Sequence, residues 1–493
     1  MLFDMTRVST EQGIVEGLEV DGLHHFRNVP YAAPPFGANR FEPPRPPMAW
    51  DGIRDATKAG PNAPQPTLVD VDPWAPLFGP RPWGGDCLTL EVWTPDPGAA
   101  RLPVMVFIHG GGFISGAGSL PGHTGRTFAR DGIVHVGINY RVGIEGFAYL
   151  GDGRDNLGLR DQQFALEWVQ RNIAAFGGDP GNVTIFGQSA GAVSTLLHTV
   201  MPGSYDLHHR AISQSGSTIV TQDISRAESF TKAVAKRLKV APTAEAMRSV
   251  PLAQAVEATK AVELRFVLGS LYGSKDPIYV SPFRPVHGTP TLPAPAFSVA
   301  GTKSRPLIAG TCQNETAGFI NAIAGLGPGG PLVRRGLFHA LDLDDEVKHA
   351  YASGPRRITD RNALLEAAWT DWAFRMPTIR QLELRRDPSW LYELRWKAIP
   401  GGMGCEHSLD MPFVRDDLAS TALMEPDAAN LFKGAPQPVA DAMHGAFVAF
   451  AKTGDPGWAP YTPDSRATMV FDTESRVIDD AAGVERIAWA NRW

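Results

Sequence analysis

The chain has 493 residues, of which 43% are hydrophobic and 20% are charged. These fractions are typical of globular proteins and exclude wholesale disorder. The net charge of −6, from 46 Lys and Arg against 52 Asp and Glu, argues against nucleic acid as a partner. The apolar runs are of strand length and fall short of the roughly 20 residues that cross a bilayer, so no membrane association is expected.

The cysteine content and the N-terminus bear on the compartment. The chain has three cysteines, Cys87, Cys312 and Cys405. This number is small and odd, so the cysteines cannot form a disulfide framework. The N-terminal residues lack the basic and apolar regions of a secretory signal peptide. We therefore expect a cytoplasmic protein with reduced thiols.

The N-terminal part of the chain predicts short elements joined by Pro-rich connections. Residues 1–60 favour short strands and turns with Pro-rich connections, and the run 41–47 can form neither a helix nor a central strand. Residues 61–83 predict an irregular loop that carries Trp74, Phe78 and Trp83. This loop either packs on the body of the protein or covers a pocket.

The middle of the chain alternates predicted strands and helices. Apolar runs predict buried strands at 102–108, 132–139 and 182–186. Apolar residues at helical spacing predict helices at 157–176 and 190–200, and Gly177-Gly178-Asp179-Pro180 ends the first of them. The alternation predicts a mainly parallel sheet with helices on its faces.

The remaining elements continue the sheet and add an insertion. Residues 225–265 predict polar helices, 305–310 a short strand and 436–452 a C-terminal helix. Residues 389–396 alternate and predict a strand with Trp390, Tyr392, Leu394 and Trp396 on one face. Since neither a repeat nor a linker is visible, we expect one domain over 1–493, with insertions around 61–83 and 220–300.

A nucleophile motif follows the predicted strand at 182–186. Gly187-Gln188-Ser189-Ala190-Gly191 lies between that strand and the next helix, which is the context of a nucleophile elbow. Glycines on both sides allow a sharp turn that exposes the hydroxyl of Ser189 at a helix N-terminus. The alternative is a simple strand-to-helix turn.

A glycine-rich stretch, His109-Gly110-Gly111-Gly112-Phe113, follows the strand at 102–108. Its backbone N–H groups suit an oxyanion hole, with Gly111, Gly112 and Ala190 as candidate donors. A dinucleotide-binding fingerprint is the rival interpretation, but its glycine spacing is poor and Pro121 falls where the phosphate-binding helix should run.

A serine nucleophile needs a base and an orienting acid, which in α/β-hydrolases follow in the order Ser, acid, His. By position the base is His339, His349, His407 or His444. His407 lies in a loop after a late strand, where a catalytic histidine belongs. Glu315, after the strand at 305–310, and Asp410 remain alternatives for the acid.

Several longer stretches resemble the type-B carboxylesterase/lipase family, which includes carboxylesterases, bacterial para-nitrobenzyl-type esterases and cholinesterases. The matching blocks follow the family's order over nearly the whole chain: 26–35, 40–41, 86–95, 109–113, 139–141, 156–162, 176–180, 188–191 and 214–216. The resemblance implies an α/β-hydrolase fold, with a mainly parallel central sheet, flanking helices and helical insertions. It also implies hydrolysis of carboxylic esters.

The resemblance further implies roles for single residues. Residues 314–319 resemble the family's acidic loop and 404–414 its histidine loop. The implied triad is Ser189, Glu315 and His407, and the implied oxyanion hole is Gly111, Gly112 and Ala190. The mechanism needs neither a metal nor an organic cofactor. The expected partner of the chain is a small-molecule ester substrate. The oligomeric state, monomer or dimer, stays open. Candidate pocket-wall residues are Trp74, Phe78, Phe283 and Phe319.

This chain departs from the family at two positions that bear on the site. The family usually has a cysteine upstream that pairs with the one matching Cys87, but this chain has Ala63 there, so we expect Cys87 to be unpaired. The residue before the serine is often Glu in the family and is Gln188 here, which weighs against a cationic, cholinesterase-type substrate.

Two other functions compete with ester hydrolysis. The same triad could act on amides, carbamates or thioesters, because these substrates pass through the same acyl-enzyme. The chain could also be a non-catalytic binding member of the family, an alternative disfavoured because all three triad residue types are present.

Overall fold

One large sheet organises the molecule. The structure is a computed structural model that describes residues 4–66, 82–273, 282–302, 305–324, 326–397, 404–423, 432–490 and 492. Within these residues the strands are β1 (Met5–Thr10), β2 (Gly13–Val20), β3 (Leu23–Pro30), β4 (Ile53–Asp55), β5 (Thr89–Thr94), β6 (Leu102–Ile108), β7 (Val134–Ile138), β8 (Gly178–Gln188), β9 (Arg210–Gln214), β10 (Leu307–Cys312), β11 (Ser389–Leu394), β12 (Ala467–Phe471) and β13 (Arg476–Asp479).

The strand order gives a parallel centre with antiparallel edges. The order is β1-β2-β3-β5-β7-β6-β8-β9-β10-β11-β12-β13, and β4 pairs with β2. Every neighbouring pair from β7 to β12 is parallel. The pairs at both ends, β1 to β7 along one edge and β12 with β13 at the other, are antiparallel. Because the central strands are parallel, their carboxyl ends meet at one edge of the sheet, where such folds bind ligands.

Helices cover both faces of this sheet. Within the described residues they are α1 (Arg126–Arg130), α2 (Gly143–Phe147), α3 (Leu157–Asn172), α4 (Ala190–His198), α5 (Ile224–Leu238), α6 (Ala244–Arg248), α7 (Leu252–Gly273), α8 (Ala296–Val299), α9 (Ala317–Ala324), α10 (Gly330–Leu341), α11 (Asp345–Ser353), α12 (Arg361–Thr370), α13 (Met376–Leu384), α14 (Asp410–Val414), α15 (Gln437–Thr453) and α16 (Gly483–Ala488). A π-helical turn, Asp371–Arg375, joins α12 to α13.

The two faces of the sheet bury separate apolar clusters. On β6, Val104 and Val106 belong to one cluster and Met105 and Phe107 to the other, because successive side chains of a strand alternate between faces. Helix α3 lies in the first cluster and α15 in the second. Burial on both faces explains why the central strands are continuous apolar runs in the sequence.

Most predicted elements are confirmed, with shifted ends. The predicted helix at 157–176 is α3 followed by a 3-10 turn, Ile173–Phe176, and Gly177 ends it in a left-handed conformation. The predicted strand at 182–186 is longer at both ends, and the one at 305–310 begins two residues later, at Leu307.

The predicted strand at 389–396 is confirmed as β11, which ends at Leu394, so Trp396 lies beyond it. The four residues predicted to share a face, Trp390, Tyr392, Leu394 and Trp396, belong to one apolar cluster, and all six residues of β11 are buried. The reason is that β11 lies between β10 and β12, with apolar clusters against it on both sides of the sheet. The buried carboxylate of this strand, Glu393, forms ion pairs with Arg375 and Arg395. The single-domain organisation stays a prediction.

Candidate active site

Ser189 lies at a sharp turn between β8 and α4. Its backbone has φ 57° and ψ −125°, a conformation that non-glycine residues rarely adopt. The turn is fixed on both sides, because the Ser189 N–H donates to Gln214 O at 2.9 Å and Ser189 O accepts from the Val193 N–H at 2.9 Å. The side chain is therefore held at the N-terminus of a helix, at the carboxyl end of the central strand.

The flanking glycines are required by close backbone contacts. A Cβ atom at Gly191 would overlap the carbonyl oxygen of Ile108, and one at Gly187 would lie 2.7 Å from the same oxygen. Both glycines therefore let β8 and α4 approach the end of β6. This steric requirement accounts for the Gly-x-Ser-x-Gly spacing that the sequence shows.

The glycine loop after β6 lies against the serine turn. Gly111 and Gly112 have φ values of 107° and 61°, which favour glycine. A Cβ atom at Gly110 would lie 2.7 Å from Gln188 O and 3.0 Å from Ser189 Cβ, so the loop touches the nucleophile turn directly. The N–H of Ala190 belongs to the first turn of α4, where N–H groups have no acceptor within the helix. The three candidate oxyanion donors thus lie on segments that meet at Ser189.

Glu315 is fully buried and makes two short contacts. Its Oε1 accepts a hydrogen bond from the Cys312 N–H at 2.7 Å, and its Oε2 lies 2.6 Å from His407 Nδ1. The acidic loop and the histidine loop are also joined through their backbones, since Asn314 N–H donates to Cys405 O at 2.8 Å. Together these contacts fix the carboxylate with one oxygen directed at the imidazole.

His407 is in contact with two aromatic rings. The centroids of Phe319 and Phe374 lie 5.3 and 5.2 Å from that of the imidazole. Its Nδ1 faces Glu315, and its Nε2 lies 3.2 Å from Nε2 of Gln188, the residue before Ser189. The imidazole therefore spans the distance from the buried acid to the serine turn.

The alternative acid and bases lie elsewhere. Asp410 Oδ2 accepts hydrogen bonds from Tyr392 at 2.8 Å and Gln214 at 3.1 Å, and burial raises the pKa of its carboxyl group. His444 is buried in α15 and contacts Asp131 Oδ2 at 2.8 Å. His339 and His349 are exposed on α10 and α11. Of the four candidate histidines, His407 is the one that contacts a candidate acid.

The candidate pocket-wall residues are distributed unevenly. Phe319 contacts His407, as described above. Phe283 is buried in the core, with its ring 4.9 Å from that of Phe230. Trp74 and Phe78 lie outside the described residues. The contribution of these residues to substrate binding stays a prediction.

The loop at 61–83 is closed at its base by backbone pairing. Asn62 and Trp83 form an isolated bridge, with Asn62 N–H donating to Pro82 O at 3.2 Å and Gly84 N–H donating to Asn62 O at 3.1 Å. Cys87 is free and buried, which confirms the prediction that it is unpaired. Gln65 ties the start of this loop to the glycine loop through two hydrogen bonds with the backbone of Gly116.

Two contacts at the site were not predicted from the sequence. One is the contact between Gln188 and His407, and the other is the pair of hydrogen bonds that Asp410 accepts from Gln214 and Tyr392. The signal in the sequence was the presence of polar residues within otherwise apolar strands. A polar residue that is buried in the core of a sheet needs a specific hydrogen-bond partner.

These features define an α/β-hydrolase fold with a serine, histidine and carboxylate at the carboxyl ends of its strands. The family model described as the carboxylesterase family matches residues 4–487. The chain therefore belongs to the carboxylesterase family, and it is a carboxylic-ester hydrolase. This confirms the resemblance to type-B carboxylesterases.

Curated relatives match along nearly the whole chain. The para-nitrobenzyl esterase of Bacillus subtilis (strain 168) is 32% identical over 502 residues, covering 97% of each chain. A phenmedipham hydrolase of Pseudarthrobacter oxydans is 32% identical over 499 residues, covering 97% of this chain and 98% of the relative.

Solved structures of esterases are similar to this chain along nearly its whole length. A structure of a PNB esterase superposes with a TM-score of 0.78 and 30% identity, covering 98% of this chain and 99% of that one. A Geobacillus stearothermophilus carboxylesterase, solved at pH 6.2, gives a TM-score of 0.81 and 29% identity, with 98% and 100% coverage. Both likenesses support the α/β-hydrolase fold. Among the described residues, we find no helix with the length and apolar character needed to cross a membrane.

Proposed function

We propose that the chain hydrolyses carboxylic esters through an acyl-enzyme on Ser189, with His407 as general base and acid and Glu315 as the orienting acid. The observation that carries this proposal is the 2.6 Å contact between Glu315 Oε2 and His407 Nδ1, with the opposite imidazole nitrogen facing the serine turn. A carboxylate on Nδ1 keeps the proton there and leaves the Nε2 lone pair free to act as a base.

The proposed reaction has two halves. In the first, His407 takes the proton of Ser189 as the hydroxyl attacks the ester carbonyl, and the N–H groups of Gly111, Gly112 and Ala190 stabilise the oxyanion. His407 then protonates the leaving alcohol. In the second half, His407 deprotonates a water molecule that hydrolyses the acyl-enzyme. Burial of Glu315 favours this cycle, because an enclosed carboxylate stabilises the transient imidazolium strongly.

The test is a burst-phase assay with para-nitrophenyl esters from acetate to octanoate. We expect release of nitrophenol in wild type and its loss in Ser189→Ala, and the chain length that turns over fastest measures the acyl pocket. Retention of more than a trace of activity in Ser189→Ala would refute the nucleophile assignment. A well-folded wild type that turns over none of these esters would favour the non-catalytic alternative.

The second candidate keeps the triad and changes the leaving group. The observation behind it is that two relatives of equal identity carry different substrate names, para-nitrobenzyl esterase and phenmedipham hydrolase. One acyl group on alcohol, amine and thiol leaving groups separates the candidates. A larger kcat/KM on the amine or thiol substrate than on the ester would favour an amide or thioester as substrate, and faster turnover of the carbamate of the same alcohol would favour a carbamate.

A further inference from the structure

A groove of about 920 Å³ lies between α5 and α7, the two longest helices of residues 220–300. This volume is typical of sites for small molecules. Arg226, near the start of α5, donates a hydrogen bond to Ser270 Oγ, near the end of α7, at 2.6 Å. Further along the two helices, the ring centroids of Phe230 and Phe266 are 4.9 Å apart. The helices are therefore antiparallel, and the groove follows them from the contact between Arg226 and Ser270.

Each helix presents one face to the groove. The lining positions recur every three or four residues, at 225, 229, 233 and 236 on α5 and at 262, 265, 266 and 269 on α7. Residues at this spacing lie on one side of a helix. The apolar members of the two faces are Ala233, Val262 and Phe266, and each of them is partly buried. The middle of the groove therefore has an apolar floor.

The walls of the groove are basic, although the chain as a whole carries a net charge of −6. They hold five cationic side chains against one carboxylate. That carboxylate belongs to Asp223, which caps α5 by accepting a hydrogen bond from the Arg226 N–H at 2.8 Å. The cationic residues are Arg226, Lys236, Arg237, Lys239 and Arg265.

Four of these cations are exposed and have no carboxylate partner within the part of the chain that the structure describes: Lys236, Arg237, Lys239 and Arg265. The contrast is with Lys232, which is on α5 but outside the groove and pairs with Glu228 at 2.6 Å. Like charges that face one groove repel each other, and an anion bound between them removes that repulsion. The missing partner of this groove is therefore an anion.

We propose that the groove binds an anionic amphiphile, with a carboxylate or phosphate head among the cations and an apolar chain along the floor. Lys236, Arg237 and Lys239 come from the last turn and the cap of α5, at the end of the groove opposite Ser270. Their N–H groups donate charge-assisted hydrogen bonds to the head. The ten residues from Arg226 to Lys236 span about 15 Å of helix, which leaves room for a chain of medium length.

This site is separate from the proposed active site and goes beyond the proposed function. None of the residues that line the groove belongs to the triad or to the candidate oxyanion hole. The binding of an amphiphile here does not require Ser189. Ser189→Ala should therefore bind the ligand with the wild-type Kd, whatever its esterase activity is.

The test is isothermal titration of the full chain with decanoate below its micellar concentration. The variants are Lys236→Ala and Arg265→Ala, one on each helix, and Lys232→Ala is the matched control on α5. We expect the Kd to rise about twofold to fivefold in each groove variant, which is the effect of losing one exposed ion pair. The control should keep the wild-type Kd. Higher ionic strength should weaken binding to the wild type, because salt screens exposed charges.

Three further ligands test the two halves of the amphiphile. Decyl phosphate in place of decanoate identifies the preferred head, and tighter binding of either one supports the proposal. Decanol and inorganic phosphate each supply one half only, and both should bind more weakly than the whole molecule. A Kd for decanol equal to that for decanoate, or a Kd for inorganic phosphate equal to that for decyl phosphate, would overturn the proposal.

The variants also locate the ligand. Decanoate bound only in the active-site cleft would give the same Kd in wild type, Lys236→Ala and Arg265→Ala, and this result would overturn the inference. If one groove variant fails to fold, as judged by circular dichroism, the other variant on the opposite helix decides the test. Residual esterase activity in Ser189→Ala would refute the nucleophile assignment and leave the binding result unchanged.

Discussion

Glu315 Oε2 lies 2.6 Å from His407 Nδ1, although the two residues are 92 positions apart in the chain. The contact forms because the acidic loop follows β10 and the histidine loop follows β11, and these strands are neighbours in the sheet. Two hydrogen bonds hold the loops together, from the Asn314 N–H to Cys405 O and from the Cys405 N–H to Asn314 Oδ1. The parallel sheet therefore brings the acid and the base together at one edge.

Replacing Glu315 by Gln should lower kcat by about 10³–10⁴-fold, because an amide neither fixes the Nδ1–H tautomer nor stabilises the imidazolium. Steady-state kinetics on a para-nitrophenyl ester measures the loss. Glu346→Gln, an exposed position on α11, is the control and should retain wild-type kcat. A Glu315→Gln enzyme within tenfold of wild type would exclude Glu315 as the orienting acid.

Replacing Gly111 by Ala should lower kcat by about 10²–10³-fold, the cost of losing one oxyanion donor. The cause is steric, because a Cβ atom there would overlap Ser115 O and push the loop away from its place beside Ser189. Gly151→Ala is a matched control, since Gly151 has φ 73° but open space around its Cα. Equal losses of activity in both variants would show that backbone strain alone is responsible.

Replacing Asp161 by Asn should lower the free energy of unfolding by about 3–5 kcal/mol, because it leaves a buried guanidinium unpaired. Arg141 contacts both carboxylate oxygens of Asp161, at 2.7 and 2.8 Å, and the two side chains are 1% and 0% exposed. Urea unfolding followed by circular dichroism and fluorescence measures the change.

The control for that experiment is a pair at the surface. Arg101 is 82% exposed and contacts Asp179 at 3.3 Å, so Arg101→Ala should cost less than about 1 kcal/mol. If the two substitutions cost the same, burial of the Arg141–Asp161 pair does not determine its contribution to stability.

The thiols of Cys87, Cys312 and Cys405 should resist alkylation in the folded protein. All three are buried, and burial raises the pKa of each thiol. A raised pKa leaves the thiol protonated at pH 8, and the thiolate is the nucleophile. Iodoacetamide at pH 8, read by intact mass, should add no label to the native chain and three in urea. Rapid labelling of the native protein would contradict the burial.

The local motif and the order of the elements could be predicted from the sequence. Gly187 and Gly191 are required where β8 and α4 approach the end of β6, and the turn that they flank is visible in five consecutive residues. The central strands were predicted because burial on both faces requires continuous apolar runs. The order of β8, Ser189 and α4 followed from an apolar run, the glycine-flanked serine and a helical pattern in succession.

The partners of Ser189 could not be derived from the residues alone. Four histidines were consistent with the order of the chain, and the choice of His407 depended on the family resemblance or on the sheet order that brings β10 beside β11. The contact of Gln188 was equally hidden, because it joins residues 219 positions apart.

Acid-quench peptide mapping with para-nitrophenyl acetate tests the central claim most directly. The enzyme is mixed with the ester, quenched within the burst and digested, and the acetylated peptide is sequenced by mass spectrometry. We predict one acetyl group on Ser189 in wild type, its accumulation in Glu315→Gln only at a much reduced rate, and its absence from Ser189→Ala. An acetyl group on a different residue, or ester turnover with no adduct on Ser189, would contradict the proposed mechanism.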